Sequence, residues 1–197
     1  MNTSPPHQQT RGCGIARPWL WLLALGLWLG GHALAGEEKY SARAVKAAFV
    51  VNLVKFIEWP VYTNDTATNQ LTLGVLGSAT DVEAFEAAAR QSVALPRAIV
   101  VRKLGSPAEA KHCDVIYVSA EVSPDALLKS LESAPVLTTS DHEGFAGQGG
   151  MIELVTGGPT LRFDVNLQAT QKAGLKISSQ LLRLARRVVP SSGKASP

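Results

Sequence analysis

Residues 141–154, with the sequence DHEGFAGQGGMIEL, combine an Asp-His-Glu triplet with four glycines. Asp141, His142 and Glu143 are side chains that can ligate a metal ion or move a proton. Adjacent residues rarely all point at one ion, however, and no His or Cys pair stands at the spacing of zinc ligands. A solvated polar turn is therefore the favoured interpretation, and the sequence predicts neither a metal nor a cofactor.

The glycines raise the separate possibility of a phosphate site. A P-loop needs a lysine after the last glycine and a helix after that, whereas MIELV (151–155) is strand-like. A second candidate, GVLGSAT (74–80), runs from strand to helix but lacks the third glycine of a dinucleotide fingerprint and an acidic residue near Val100 and Val101. The glycines of GFAGQGG instead predict a sharp connection with positive φ that leads into a hairpin.

Acyl-transfer and acid/base chemistry find no better support in the sequence. There is no G-x-S-x-G elbow, and only His112 and His142 follow the first 35 residues. The carboxylates of Glu58, Glu83 and Asp164 show no spacing that singles out a catalytic pair. The sequence therefore predicts a protein that is not an enzyme, with no catalytic residues.

The first 35 residues have the layout of a secretory leader. Arg11 and Arg17 precede the apolar run WLWLLALGLWL (19–29), and Ala33-Leu34-Ala35 closes the segment. The run is well short of the roughly 20 apolar residues that span a bilayer. We expect residues 1–35 to be a signal peptide cleaved after Ala35. Because Cys13 precedes the apolar run, a lipoprotein is not predicted.

The charge and the cysteine content of the chain argue against nucleic-acid binding and against an intrachain disulfide. The whole chain has a formal net charge of +3, which falls to about +1 without the two leader arginines. Nothing there predicts nucleic-acid binding, which favours a strongly basic face. Cys113 is the one cysteine after the leader, so no intrachain disulfide is expected. Its strand-like neighbours predict a buried, inert thiol.

Strands and helices alternate along residues 36–189. Apolar spacing predicts a helix from Ser41, as N-cap, to Ile57, and further helices near 81–91, after Ser123-Pro124 and after Asn166. Strands are predicted at 71–77, 98–104, 113–119, 135–141, 151–155 and 160–166, the last two as a hairpin. The expected fold class is α/β: one domain (36–189) with a mixed sheet and flanking helices, a Rossmann-like sandwich with a C-terminal β-hairpin and helix. Residues 190–197 are predicted to be a disordered tail.

Several stretches together resemble the YfiR family of small exported regulators. They are VKAAFVVNLVKFIEWP (45–60), VLTTSDHEGFAGQGGMIEL (136–154), LRFDVNL (161–167) and GLKISSQLLRLA (174–185). The resemblance implies a periplasmic α/β domain that acts by binding and is often a homodimer. The family's namesake represses an inner-membrane diguanylate cyclase through its periplasmic portion, and an outer-membrane lipoprotein sequesters the repressor. Lower cyclic di-GMP, and hence less biofilm and exopolysaccharide, is the implied output.

Two other functions remain open, and the sequence differs from the family's namesake in one respect. The protein could instead regulate another membrane receptor, such as a sensor kinase, or act as a periplasmic small-ligand sensor. The namesake also has cysteine pairs, whereas Gly144, Phe145 and Glu153 occupy the region where a second pair would be expected here. Redox control through an internal disulfide is therefore not carried over.

Five residues are candidates for contact with a partner or ligand. Trp59, beside Pro60, could anchor an interface, although closing the core is the simpler role. Arg162 and Asp164 share the polar side of their predicted strand. With Lys176 and Arg183 they could line a groove for a small anion or an acidic side chain, the alternative being a solvated face with ordinary ion pairs. Arg183, Arg186 and Arg187 are expected together in the last helix.

Overall fold

The structure is a computed structural model, and it describes residues 41–60, 70–93, 95–131, 133–157 and 160–189. These residues belong to one compact unit of the chain. The predicted signal peptide (1–35) and the predicted tail (190–197) lie outside the described residues.

The first helix, α1, spans Ala42–Leu53 and begins where the sequence predicts. The Oγ of Ser41 accepts a hydrogen bond of 3.2 Å from the N–H of Ala44, which satisfies one of the free amides at the helix start. The α-helix ends at Leu53 rather than near Ile57, because a 3-10 turn (Val54–Phe56) and the short strand β1 (Ile57–Glu58) follow. The predicted helix and its cap are confirmed.

The later elements follow the predicted alternation. They are β2 (Gln70–Leu76), α2 (Ala79–Gln91), β3 (Ala98–Lys103), a 3-10 helix (Pro107–His112), β4 (Val115–Val118), α3 (Asp125–Ser130), β5 (Leu137–Ser140), β6 (Ile152–Val155), β7 (Arg162–Asn166), α4 (Leu167–Lys172), β8 (Lys176–Ile177), α5 (Ser179–Leu184) and β9 (Arg187–Val189). No helix in these described stretches is long and apolar enough to cross a membrane.

Seven of the strands form one mixed sheet in the order β3-β2-β4-β5-β6-β7-β9. The strands from β3 to β6 run parallel, β7 is antiparallel to β6, and β9 is parallel to β7. The strands β1 and β8 form a separate antiparallel pair. The predicted mixed sheet and the β6–β7 hairpin are confirmed, with Gly157 at φ +110° in the hairpin connection.

Apolar side chains fill both sides of the large sheet, as a sandwich requires. On one side, residues of α1, α2 and α5 pack on the strands. The ring centroids of Phe85, on α2, and Tyr117, on β4, lie 4.7 Å apart. On the other side, Ile116 of β4 packs with Leu127 and Leu131 at α3. The strand β4 is buried along its whole length, as expected for a central parallel strand.

The glycine-rich segment carries the chain from β5 to the parallel strand β6. Gly144 and Gly149 adopt φ +79° and +102°, which glycine tolerates without strain. The ring of Phe145 is fully buried and lies against Gly150, where a Cβ atom would come within 2.2 Å of a ring carbon. The predicted sharp connection with positive φ is confirmed, and it leads into the β6–β7 hairpin.

The predicted last helix is wrong beyond Leu184. The helix α5 ends there, Ala185 is extended (φ −63°, ψ 138°), and Arg187 already belongs to β9. Arg186 and Arg187 are therefore not helical residues beside Arg183. In an extended chain both arginines reach the buried carboxylate of Asp164 on β7, and these ion pairs outweigh the helical preference of the local sequence.

Cys113 has the buried position that the sequence predicts. It lies just before β4 and is 7% exposed, and burial raises the pKa of its thiol. A Cβ atom on Gly74 of the neighbouring strand would come within 2.8 Å of its sulfur. The sulfur is thus packed tightly against the sheet.

Candidate functional site

The large sheet has a switch point at β2, because β3 lies on one side of it and β4 on the other. In open α/β sheets, ligands bind in the crevice at the carboxyl ends of such strands. Gly77 follows β2 at this edge, and Ser119 follows β4. A Cβ atom on Gly77 would lie 2.8 Å from Oδ2 of Asp81 and 3.1 Å from Cβ of Ser119. The base of the crevice is therefore closely packed.

Asp81 occupies this crevice as part of the capping box that starts α2. The Ser78 N–H donates to its Oδ2 at 2.9 Å, and the Asp81 N–H donates back to Ser78 Oγ at 3.2 Å. Nε of Arg43, from α1, donates to Oδ1 at 2.7 Å. Burial acts to raise the pKa of Asp81, but the hydrogen bonds from Ser78 and Arg43 together hold it below its usual value. The carboxylate stays charged and its oxygens are occupied.

Asp141 forms a second paired carboxylate at the same edge, directly after β5. The hydroxyl of Tyr117, on β4, donates to its Oδ1 at 2.9 Å, and the Ala120 N–H donates to the same oxygen at 2.8 Å. The ammonium of Lys46, on α1, pairs with Oδ2. Burial, and then the charge of Asp141, raise the pKa of the Tyr117 hydroxyl above its usual range, so it remains a donor.

The prediction of a solvated turn is wrong for Asp141, whose side chain is only 8% exposed. The strand before it delivers the carboxylate to the sheet edge, where a tyrosine and a lysine from other elements meet it. The three-residue spacing of Arg43 and Lys46 was the available signal, since such residues share one face of a helix. Their acidic partners, 38 and 95 residues further along the chain, could not be identified from local pattern.

Two ion pairs, Arg43–Asp81 and Lys46–Asp141, hold α1 at the edge of the sheet where the parallel strands end. Each carboxylate that faces the crevice is engaged by a cation and by further donors, so neither is placed as a free general base. Within the described stretches, no group of three or more His, Cys, Asp and Glu side chains is arranged to hold a metal ion. This geometry suits a rigid binding surface better than proton transfer.

Replacing Lys46 by Met is expected to lower the free energy of unfolding by about 2 kcal/mol at pH 7. The change leaves the Asp141 carboxylate largely buried beside Tyr117 without its cation; the partial exposure of Lys46 (17%) keeps the cost below that of a fully buried pair. Urea unfolding measures the effect. Lys55→Met, at an exposed position just beyond α1, is the control and should change stability by less than about 0.5 kcal/mol. Equal effects of the two changes would contradict this role of Lys46.

Asp164 is the centre of a second charged cluster. Its carboxylate is fully buried, and Arg186 binds it through two hydrogen bonds of 2.8 and 2.7 Å. Arg187 adds an ion pair of 2.9 Å. The hydrogen bonds from Arg186 lower the pKa of Asp164 more than burial raises it. The cluster pins the last described strand to β7.

A cleft of about 640 Å³ is lined by Asp141 and by the two arginines of the Asp164 cluster. Acidic residues, Glu143 and Glu153, and basic residues, Arg186 and Arg187, are among those that line it. The Glu153 carboxylate accepts hydrogen bonds from the N–H groups of Gly144 and Ala146, at 3.1 and 3.0 Å, so the glycine segment shapes one wall. The residues that line the cleft therefore carry both signs of charge.

Lys176 lies in the small two-stranded sheet, and Trp59 directly follows the other strand of that sheet. Lys176 is opposite Glu58, the residue before Trp59. The Trp59 ring packs partly against the core, and the guanidinium carbon of Arg97 lies 5.9 Å from the ring centroid. Its Nε1 is buried and has no hydrogen-bond partner in the described part of the chain. Trp59 thus packs against the core, while its indole N–H has no acceptor among the described residues.

Arg162 and Arg183 are exposed and lie on separate elements, at the start of β7 and on α5. Asp164, which the sequence grouped with them, is paired with Arg186 and Arg187 instead. Arg186 and Arg187 were not predicted as partners of Asp164, because the local sequence pattern predicts that they are helical. The roles of Trp59, Arg162, Asp164, Lys176 and Arg183 in binding stay a prediction.

A sequence model of the YfiR/HmsC-like family matches residues 43–186, from the first turn of α1 to the residue before β9. The chain belongs to the YfiR/HmsC-like family. The match includes Asp81, Asp141, Asp164 and the glycine segment, and it ends one residue before Arg187; YfiR-like proteins are periplasmic regulators and are generally non-catalytic.

Two solved structures show the same type of fold. One is the ABC domain from Streptococcus pneumoniae in complex with L-Trp, with a TM-score of 0.53, 17% identity, and coverage of 73% of this chain and 62% of that chain. The other is a conserved domain protein from Vibrio cholerae, with a TM-score of 0.54, 13% identity and coverage of 73% and 60%. The YfiR-like chain thus spans less than two thirds of each, and these similarities support the α/β fold alone.

Proposed function

We propose that this YfiR-like protein is a periplasmic binding protein that represses an inner-membrane diguanylate cyclase by engaging the cyclase's periplasmic portion. Repression lowers cyclic di-GMP and, with it, biofilm and exopolysaccharide output. The observation that carries the proposal is the family match over residues 43–186. The paired carboxylates of Asp81 and Asp141 support it, because a binding protein needs rigid surfaces and no free catalytic base.

The proposal includes the location and the other partners that the family implies. Residues 1–35 direct export, and cleavage after Ala35 releases the protein to the periplasm. An outer-membrane lipoprotein sequesters it and so relieves the cyclase, and the working form is a homodimer. Contacts with these partners use Trp59, Lys176, Arg162 and Arg183, while Asp164 acts through the two arginines that it orients.

Deleting the gene is expected to raise cellular cyclic di-GMP, because a periplasmic brake on a cyclase has been removed. Mass spectrometry of cell extracts measures the nucleotide. Complementation with the full chain should restore the original level. A chain that lacks residues 1–35 is the matched control and should not restore it, since it would fold on the wrong side of the membrane.

Two results would go against this assignment. If deletion of the gene left the cyclic di-GMP level unchanged, a cyclase would not be the receptor. A sensor kinase would then be the next receptor to examine. If the chain without residues 1–35 restored the original cyclic di-GMP level, the protein would not act in the periplasm. Neither result would alter the fold or the family.

The cleft beside Glu153 supports a second candidate function, the sensing of a small zwitterionic ligand. Its lining includes both acidic and basic residues, which match the ammonium and carboxylate charges that a free amino acid carries. L-Trp, which the Streptococcus pneumoniae domain binds, is one such molecule. Binding to the native state must raise the melting temperature. A thermal-shift screen of the free amino acids in which none raises it would reject this candidate.

A further inference from the structure

The strand β3 ends the large sheet on one side. It pairs with β2 from Ala98 to Lys103, and the described residues place no strand on its other side. Such an edge presents a row of backbone donors and acceptors to any extended chain that can approach. Val100, in the middle of the strand, is 41% exposed, so neither a helix nor a loop of the described chain covers this position.

A cleft of about 690 Å³ runs beside this edge, between β3 and α2. Arg97, the residue before β3, lines the cleft, and its Nη2 is buried with no hydrogen-bond partner among the described residues. The nearest carboxylate oxygen, Oδ1 of Asp114, lies 3.9 Å away, too far for a hydrogen bond. Arg97 therefore adds a positive charge to the lining of the cleft.

The charge of the edge selects the kind of chain that fits it. Arg97, Arg102 and Lys103 make both ends of β3 basic. The carboxylate in the cleft wall, Glu86, is already paired with Arg90 at 3.5 Å. If two copies paired antiparallel about Val100, Arg97 of one copy would face Lys103 of the other. Like charges directly opposite each other destabilise a sheet, so the edge disfavours a second copy and favours an acidic strand.

We propose that β3 is a docking edge for an extended acidic segment of a partner protein, which adds to the sheet as an eighth strand. The backbone of the segment pairs with the free side of β3. Its carboxylates meet Arg97, Arg102 and Lys103. This inference goes beyond the proposed function, since it holds whether or not the partner is a cyclase.

The first test uses the purified protein and two blocked heptapeptides, EVEVEVE and KVKVKVK. Hydrogen exchange followed by mass spectrometry reports the amides of residues 98–103. The acidic peptide is expected to slow exchange in this segment, less so at 1 M salt, and the basic peptide is expected to have no effect. Equal effects of the two peptides, or slowing confined to other segments, would overturn the proposal. So would slowing that depends on protein concentration alone, because it would identify a second copy as the occupant.

A charge-reversal pair sharpens the test. The double variant Arg102→Glu/Lys103→Glu should bind EVEVEVE at least about tenfold more weakly than the original protein does, and should bind KVKVKVK instead. Lys111→Glu/Lys129→Glu makes the same change of net charge at exposed positions outside β3 and outside the lining of the cleft, and should leave peptide preference unchanged. A preference that follows net charge in both variants would contradict docking at β3. The exchange experiment on the unaltered protein decides the question even if a variant fails to fold.

Discussion

Replacing Arg186 and Arg187 together by Met is expected to lower the free energy of unfolding by about 3 kcal/mol at pH 7. The change leaves the Asp164 carboxylate, which is fully buried, without either of its cations. The figure is at the lower end for breaking a buried pair, because the arginine side chains are 41% and 58% exposed and water screens part of the interaction. Urea unfolding at pH 7 measures the loss.

The pH dependence gives this prediction a second readout. In the original protein the folded-state pKa of Asp164 is lowered, so its contribution is present above the unfolded pKa of about 3.9 and is lost as pH falls through the folded value. In the double variant, burial without a cation raises the folded pKa above the unfolded one. The stability difference between the two proteins should therefore shrink as pH is lowered from 7 toward 4.

Arg183→Met is the matched control for the arginine pair. Arg183 is exposed on α5 and is not one of the cations on Asp164, so its replacement should cost less than about 0.5 kcal/mol. A stability difference that stays constant between pH 7 and 4 in the double variant would show that the arginines do not act through Asp164.

Replacing Gly150 by Ala is expected to cost about 3 kcal/mol, because the new methyl group cannot be accommodated. Its carbon would lie 2.2, 2.3 and 2.5 Å from three carbons of the Phe145 ring, which is fully buried. The cost arises from overpacking, so a smaller side chain at position 145 should relieve it. In a Phe145→Leu background the same Gly150→Ala change should cost clearly less.

Gly147→Ala is the control in the same segment. A Cβ atom there would meet only the Gly144 carbonyl oxygen, at 3.3 Å, and the residue is not among the positive-φ glycines. The change should therefore alter stability by less than about 1 kcal/mol. Equal costs for Gly150→Ala in both backgrounds would exclude the ring contact as the cause.

The order of strands and helices follows from local pattern along most of the chain. The period of the apolar residues identifies α1, and the serine cap places its start at Ser41. The strand β4 is a continuous apolar run, β2 is mostly apolar, and the positive-φ glycines identify the connection after β5. These features depend on residues within a few positions of one another, so the sequence alone is sufficient to predict them.

The charged clusters could not be predicted in this way, because their partners are far apart along the chain. Asp141 meets Lys46 from a position 95 residues away, and only the folded sheet brings them together. Arg186 meets Asp164 across 22 residues, but that contact replaces the end of a helix with an extended strand. In both places a long-range ion pair at the sheet determines a geometry that local preference does not indicate.

The most direct test of the proposed function is the effect of this protein on purified diguanylate cyclases. Each full-length inner-membrane cyclase of the source organism that has a periplasmic portion is solubilised, and its conversion of GTP to cyclic di-GMP is measured as the YfiR-like protein is added. We predict a saturable fall in rate for one of them, and no fall once that cyclase's periplasmic portion is deleted. Rates that stay constant for all of them, or a fall that persists after the deletion, would contradict the account.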